Sequence, residues 1–240
     1  MTTHTSTPQR LYLIQIAARS APEATWPVPY PCYLVQMSDG KNILIDTGFP
    51  KDLPPRPELE LRKNVVEQLA LLDLQPDDID ILICTHFDLD HCGHHEDFPN
   101  AEHIVQRQHY EVAREGHPRY GTARAHWDHP ALHYRLVDGD TELLPGLTLI
   151  ETDGHAPGHQ SVLVRLPETG LVLLTIDAVA NQGFFKPDRQ AGPMDVDGEK
   201  AIVSTRKLLA LVQREQVALT IFGHDGAQWA TLKKLPEYYQ

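Results

Sequence analysis

Residues 79–98 read IDILICTHFDLDHCGHHEDF, and the other elements of the chain are expected to surround this stretch and hold it in position. Residues 79–84 form an apolar run of the length expected for a buried strand. Directly behind it stand four side chains able to bind a divalent cation: His86, Asp88, Asp90 and His91. A solvated polar loop is the ordinary alternative. Ionisable groups beside a buried edge are costly unless they are paired, so this density favours metal binding.

The spacing of these four residues indicates more than one metal. In extended backbone, residues two apart point to the same side, so His86, Asp88 and Asp90 are expected to converge. His91 then turns toward a neighbouring point. Two metal ions a few ångströms apart suit this arrangement better than one.

Composition narrows the class of protein. The chain has 240 residues, with 33 acidic and 21 basic side chains, which gives a net charge of −12. Because no basic excess exists to neutralise phosphates, the sequence predicts no nucleic-acid partner. The apolar runs are too short for a transmembrane helix, so no membrane association is expected. Cys32, Cys84 and Cys92 form no disulfide pattern, which favours reduced thiols and a cytoplasmic location.

Apolar runs separated by Gly, Pro and Asp predict many strands, whereas helical spacing appears in few places. The predicted strands are residues 11–16, 32–37, 42–45, 79–84, 101–106, 134–137, 147–152, 161–166, 171–176 and 217–222. The predicted helices are residues 61–72, 108–114 and 201–212. Residues 21–31 carry four prolines and are predicted to be a loop. Without any linker, this order indicates a single α/β domain over residues 1–240, built as a sandwich of sheets faced by helices.

Three more candidate ligands stand near the ends of predicted strands. His159 lies in the turn GHAPGHQ at residues 154–160, Asp177 follows residues 171–176, and His224 follows residues 217–223. Taken singly, each is more often a hydrogen-bonded loop residue than a ligand. Together with the first four they make seven, a number that suits two metals sharing a bridging carboxylate.

The order of these motifs resembles the metallo-β-lactamase superfamily, whose signature is HxHxDH followed by a distant His, an Asp and a last His. The chain is most similar to the N-acyl-homoserine lactone lactonases, the quorum-quenching branch. The supporting segments are residues 32–35, 43–50, 104–107, 154–161, 173–178, 222–225 and 235–238. The resemblance implies an αββα sandwich with a dinuclear metal site at one sheet edge.

The resemblance also implies a role for each candidate. His86, Asp88 and His159 are expected on the first metal, with Asp177 bridging; the second metal is expected to bind Asp90, His91 and His224. His155 matches a family histidine that is not a ligand, and Asp46 matches a position that steadies the metal loops. Zinc is the expected ion, with manganese, iron and cobalt as alternatives, and the likeness makes a homodimer plausible.

Two positions depart from the family pattern. Asp88 stands where the signature has His, so the motif becomes HxDxDH. A carboxylate is a harder, charged ligand, so it raises the negative charge of the site and leaves the metal preference open. Ala180 stands where lactonases of this group commonly have a Tyr that contacts the substrate. Another phenol would have to replace it, and Tyr30, Tyr120 and Tyr134 are the candidates.

The leading hypothesis for function is opening of the lactone ring of N-acyl-homoserine lactones by a metal-bridging hydroxide. Asp90 is the predicted catalytic residue, placed to orient the nucleophile or pass a proton. The predicted contacts to the acyl chain are apolar side chains, although core filling explains them equally well: Trp26, Phe87, Phe184 and Phe185.

Two alternatives remain at this point. A hydrolase with the same metals could act on another lactone, an ester or a thioester such as a glutathione conjugate. A non-catalytic metal-binding or ligand-sensing module is the more distant alternative, with Asp88 marking a degraded first site. The sequence assigns no role to the His-rich residues 117–133.

Overall fold

The computed structural model describes residues 6–20 and 25–240. The strands in this part of the chain are β1 (Pro8–Arg19), β2 (Val28–Met37), β3 (Asn42–Ile45), β4 (Leu59–Leu61), β5 (Ile81–Ile83), β6 (Glu102–Gln106), β7 (His133–Val137), β8 (Thr141–Leu144), β9 (Leu147–Glu151), β10 (Gln160–Leu166), β11 (Gly170–Leu174) and β12 (Leu219–Ile221). The α-helices are α1 (Val65–Leu69), α2 (Arg107–Arg114), α3 (Arg124–Trp127), α4 (Gly198–Glu215) and α5 (Gly226–Trp229). Among these helices, none has the length and apolar character that crossing a bilayer requires.

The strands form two mixed sheets. The first sheet has the order β4-β1-β2-β3-β5-β6-β7, and its neighbours from β3 to β7 run parallel. The second sheet has the order β12-β11-β10-β9-β8, in which β11 and β12 run parallel and the other neighbours antiparallel.

The main core lies between the two sheets. Alternate side chains of a strand point to opposite faces, so β1 sends Leu11 and Leu13 into this core and Tyr12 and Ile14 to the outer face. Apolar residues of both sheets meet in the same cluster, including Val35, Ile45, Leu149, Val162 and Leu174.

Helices cover both outer faces. Val65 of α1, Ala113 of α2 and Trp127 of α3 pack with the outer face of the first sheet. Leu208 and Leu211 of α4 pack against Leu173 of the second sheet. The layers are therefore helix, sheet, sheet and helix, which confirms the predicted α/β sandwich of the αββα type.

Some predicted boundaries were wrong. Of the loop predicted for residues 21–31, residues 21–24 lie outside the described residues, and Pro29 and Pro31 belong to β2. Prolines fit there because β3 pairs with β2 only from Tyr33 onward, so this end of β2 has β1 as its sole sheet neighbour. The helix predicted for residues 61–72 is α-helical only in α1, because Leu61 ends β4.

The sheet arrangement brings several strand ends to one edge. β3 and β5 are parallel neighbours, so Asp46 and Thr85, which follow closely behind them, are adjacent. β11 and β12 are parallel neighbours in the other sheet, so the segments that carry Asp177 and His224 are adjacent too.

Candidate metal centre

Side chains from four separate segments meet at this edge in two groups. The first group is His86, His155 and Asp177, and the second group is Asp90, His91, Asp177 and His224. Within each group one ligand atom per residue lies within 4.8 Å of all the others. Histidine nitrogen and carboxylate oxygen are ligands of zinc and of other first-row divalent metals.

Asp177 belongs to both groups because its two oxygens face different histidines. Its Oδ2 lies 3.3 Å from Nε2 of His155 and 3.9 Å from Nε2 of His86. Its Oδ1 lies 3.0 Å from Nε2 of His224 and 3.6 Å from Nε2 of His91. A carboxylate in this position is suited to bridge two cations.

Asp46 steadies the loop that carries the histidines. It follows β3 with a φ of 60°, and it is fully buried. One of its oxygens accepts a hydrogen bond from the Thr85 backbone N–H at 2.9 Å, and the other accepts one from the Thr85 hydroxyl at 2.7 Å. The second oxygen also lies 2.8 Å from Nδ1 of His91. This contact fixes the ring orientation and leaves Nε2 directed into the second group.

Two other histidines are oriented in the same way. Nδ1 of His224 lies 2.8 Å from the Pro29 carbonyl oxygen, so it donates there. Nδ1 of His86 lies 3.1 Å from the Thr85 hydroxyl. In both rings Nε2 is left free to bind a cation.

Buried atoms without a hydrogen-bond partner show that these residues fit a metal. Among the described residues, Nε2 of His86, Nε2 of His91 and Oδ1 of Asp177 are buried and have no such partner. An unsatisfied buried polar atom costs free energy. Divalent cations in the two groups would satisfy all three atoms at once.

The electrostatics of the centre also suit cations. Burial lowers the pKa of His224, but the Asp177 and Asp90 carboxylates outweigh it and raise that pKa to about 9. The same two carboxylates hold the pKa of His91 well above its usual range in spite of burial. Burial raises the pKa of Asp177, and the surrounding imidazoles bring it well below the ordinary value. The carboxylates of the second group therefore stabilise positive charge on the neighbouring histidines.

The expectation that His159 is a ligand and His155 is not does not fit this geometry. Nδ1 of His159 lies 2.8 Å from the Thr152 hydroxyl, and its Nε2 accepts a hydrogen bond from the Asp177 backbone N–H at 3.3 Å. Both ring nitrogens are thus occupied by protein groups. Nε2 of His155 takes the place in the first group instead. His159 supports the Asp177 backbone from behind.

Asp88 was expected to be a ligand of the first metal, but the structure places it outside both groups. Its Oδ2 lies 3.3 Å from Nε2 of His86 and 3.3 Å from Nε2 of His155. Both of its oxygens accept hydrogen bonds from the guanidinium of Arg119. Sequence reasoning missed Arg119. Its only signal was indirect, since an added carboxylate at position 88 calls for a counter-charge.

The position of Phe87 gives no support to the prediction that it contacts the substrate. It is fully buried and stacks on Trp127 with a ring separation of 4.6 Å. The alternation that turns His86 and Asp88 toward the centre sends Phe87 into the core.

The other predicted aromatic contacts stay predictions. Trp26 is half exposed and lies beside Gly226, two residues after His224. Phe184 and Phe185 are partly buried against the cluster around α4.

Of the three tyrosines considered as a replacement at position 180, Tyr30 lies nearest the centre. Its ring is 5.1 Å from that of His224, and its hydroxyl accepts a hydrogen bond from Arg19. The Tyr134 hydroxyl donates to the Trp127 carbonyl oxygen, and the Tyr120 ring is fully buried.

Comparison with known proteins agrees with this geometry. The profile of the metallo-beta-lactamase superfamily matches residues 25–224. An N-acyl homoserine lactonase of Bacillus cereus is 33% identical over 227 residues, covering 88% of this chain and 87% of its own length. The lactonase AttM of Rhizobium johnstonii is 33% identical, covering 96% and 98%. A solved N-acyl homoserine lactone hydrolase with the product N-hexanoyl-L-homoserine at its catalytic metal centre superposes with a TM-score of 0.83. It is 30% identical and covers 97% of this chain and 100% of its own.

Proposed function

Because the chain belongs to the N-acyl homoserine lactonase family of the metallo-beta-lactamase superfamily, we propose that it is a metal-dependent hydrolase that opens the lactone ring of N-acyl homoserine lactones. The observation that carries this proposal is the pair of ligand groups on either side of Asp177, with buried nitrogens and an oxygen that lack partners. Ring opening is hydrolysis of an ester, and paired cations are well suited to it.

We propose that His86, His155 and Asp177 hold one divalent cation and that Asp90, His91, Asp177 and His224 hold the other. Zinc is the proposed ion because imidazole and carboxylate ligands suit it, and manganese, iron and cobalt are the alternatives. When bound, the two cations supply a water molecule of lowered pKa and an electrophile for the lactone carbonyl.

The protein's own groups would orient the reactants. Asp90 reaches the second group with Oδ2 3.4 Å from Nε2 of His91 and 3.8 Å from Nε2 of His224. Its side chain is 18% exposed, so it is open to a water molecule from solvent. Asp90 is therefore the proposed catalytic residue, which orients the attacking water and passes its proton to the ring oxygen as that oxygen leaves. Tyr30, beside His224, is the proposed donor to the substrate in place of a tyrosine at position 180.

The acyl chain is proposed to lie on the aromatic side chains near His224 and Asp177, namely Trp26, Phe184 and Phe185.

We further propose a cytoplasmic location, which the three buried free cysteines support. A homodimer and the lack of a nucleic-acid or membrane partner stay predictions, as does a single domain over residues 1–240.

The test is a pH-stat assay of zinc-loaded protein over homoserine lactones that differ in acyl length. Ring opening releases an acid, so we expect base consumption that stops on chelation and returns with added zinc. Phenyl acetate and a glutathione thioester serve as comparison substrates. Hydrolysis of either of them without ring opening would favour the alternative hydrolase, and no turnover by zinc-loaded protein would favour a binding module.

A further inference from the structure

Arg119 lies in the His-rich segment to which the sequence assigns no role, and its guanidinium is fully bonded to protein. Nε donates to Oδ1 of Asp88 at 2.6 Å, and Nη2 donates to Oδ2 of the same carboxylate. Nη2 also lies 2.8 Å from Nε2 of His155. Nη1 donates to the backbone carbonyl oxygens of Met194 at 2.8 Å and of His155 at 3.2 Å. All five N–H groups of the guanidinium therefore have acceptors.

One of these bonds occupies an atom that a metal in the first group would need, and two others hold a carboxylate beside that group. Nε2 of His155 is the nitrogen that faces Oδ2 of Asp177, 3.3 Å away. Its lone pair can accept the Arg119 N–H or bind a metal, but it cannot do both. Oδ2 of Asp88, which lies 3.3 Å from Nε2 of His86, is taken by the same guanidinium.

In the described part of the chain, the second group faces no guanidinium or ammonium group of this kind, and the positive charge beside its carboxylates lies on His91 and His224. Among the described residues, no lysine or arginine forms an ion pair with Asp90 or Asp177, whose charged neighbours are histidines. The two halves of the centre therefore differ before any metal binds.

We propose that Arg119 is an internal cation that competes with the metal for the first group, so that the second group loads first and the first group loads only when the guanidinium withdraws. The bidentate bond neutralises the extra carboxylate of Asp88 without a metal. The Arg119 side chain is 18% exposed, which gives the guanidinium a route to solvent. This inference rests on the metal binding proposed above and is independent of the lactone substrate.

The experiment is calorimetric titration of metal-free protein with zinc chloride, with the zinc content measured after desalting. For the natural chain we expect two separate binding events, and the dissociation constant of the second should be roughly 10- to 100-fold higher than that of the first. In Arg119→Met, which keeps an apolar stem of similar length, the second event should strengthen by at least about tenfold. The matched control is Arg124→Met in the same segment, which removes an exposed ion pair with Asp128 and should leave both events unchanged.

Three results would separate the possibilities. Two equally strong events in the natural chain would overturn the inference. A weaker second event in Arg119→Met would also overturn it, because Arg119 would then hold Asp88 in place for the metal. No zinc uptake at all would instead refute the metal centre itself. Circular dichroism checks folding, and if Arg119→Met does not fold, Arg119→Lys should show the same direction of change because lysine cannot form the bidentate bond.

Discussion

At the scale of single residues, Asp177 unites the two halves of the centre, because each of its oxygens faces a different pair of histidines. Its position depends on a residue that lies outside both groups. His159 accepts a hydrogen bond from the Asp177 backbone N–H and is itself fixed by the Thr152 hydroxyl. The turn at residues 154–160 thus contains His155, which belongs to the first group, and His159, which bonds to the Asp177 backbone.

Substitution of His155 and of His159 should distinguish a metal ligand from a residue that supports the Asp177 backbone. We expect His155→Ala to reduce the zinc content by about half, because the first group loses a ligand. His159→Ala should keep its zinc but lower the free energy of unfolding by about 1–3 kcal/mol, because the Asp177 N–H loses its acceptor and the Thr152 hydroxyl loses one of its partners. Elemental analysis and urea unfolding give the two values. Loss of zinc only in His159→Ala would restore the original expectation.

The candidate ligands could be found in the sequence because polar residues stand near the ends of apolar strands, yet their roles could not all be assigned. The motif GHAPGHQ contains two histidines, and only the path of the turn decides which ring faces Asp177. The partner of Asp88 is 31 residues away in the sequence, in a segment without a clear pattern. The buried position of Phe87 follows from the same alternation that turns His86 and Asp88 toward the centre.

At the scale of elements, parallel pairs of strands position the ligands. β3 and β5 bring Asp46 beside Thr85, and β11 and β12 bring the Asp177 segment beside His224. The sequence predicted these strands well because buried parallel strands are continuous apolar runs. It did not predict β8, in which only Leu143 is buried, or the start of β2, where two prolines lie and β2 pairs with β1 alone.

Gly223, which follows β12, lies close to Ile176 and Asp177, and this close approach can be tested by adding one methyl group. A Cβ at Gly223 would lie 2.4 Å from the Ile176 carbonyl oxygen and 3.0 Å from Oδ1 of Asp177. We expect Gly223→Ala to cost about 1–3 kcal/mol of stability and to weaken zinc binding, because the two ligand segments must separate. Gly121→Ala is the matched control, since its nearest neighbour would be a carbonyl oxygen at 3.5 Å. Equal stability of the two variants would contradict this account.

At the scale of the whole molecule, the centre joins the two sheets. His86, Asp90 and His91 follow β5 of the first sheet, while His155, Asp177 and His224 belong to loops of the second sheet. A bound cation would therefore link the two sheets at one edge, and this link would exist only in the folded chain.

Removal of metal should lower the melting temperature. A ligand present at 100 times its dissociation constant stabilises the native state by about 2.7 kcal/mol, which corresponds to roughly 5–10 °C in a chain of this size. Calorimetry of zinc-loaded and chelated protein measures the difference, and zinc added back serves as the control. An unchanged melting temperature would mean that the metal does not link the sheets.

The most direct test of the metal centre is an anomalous difference map from a crystal grown with saturating zinc. The account predicts one peak among Asp90, His91 and His224 and another between His86 and His155, with Asp177 touching both. Peaks bound to His159, or no peak at this edge of the sandwich, would contradict it.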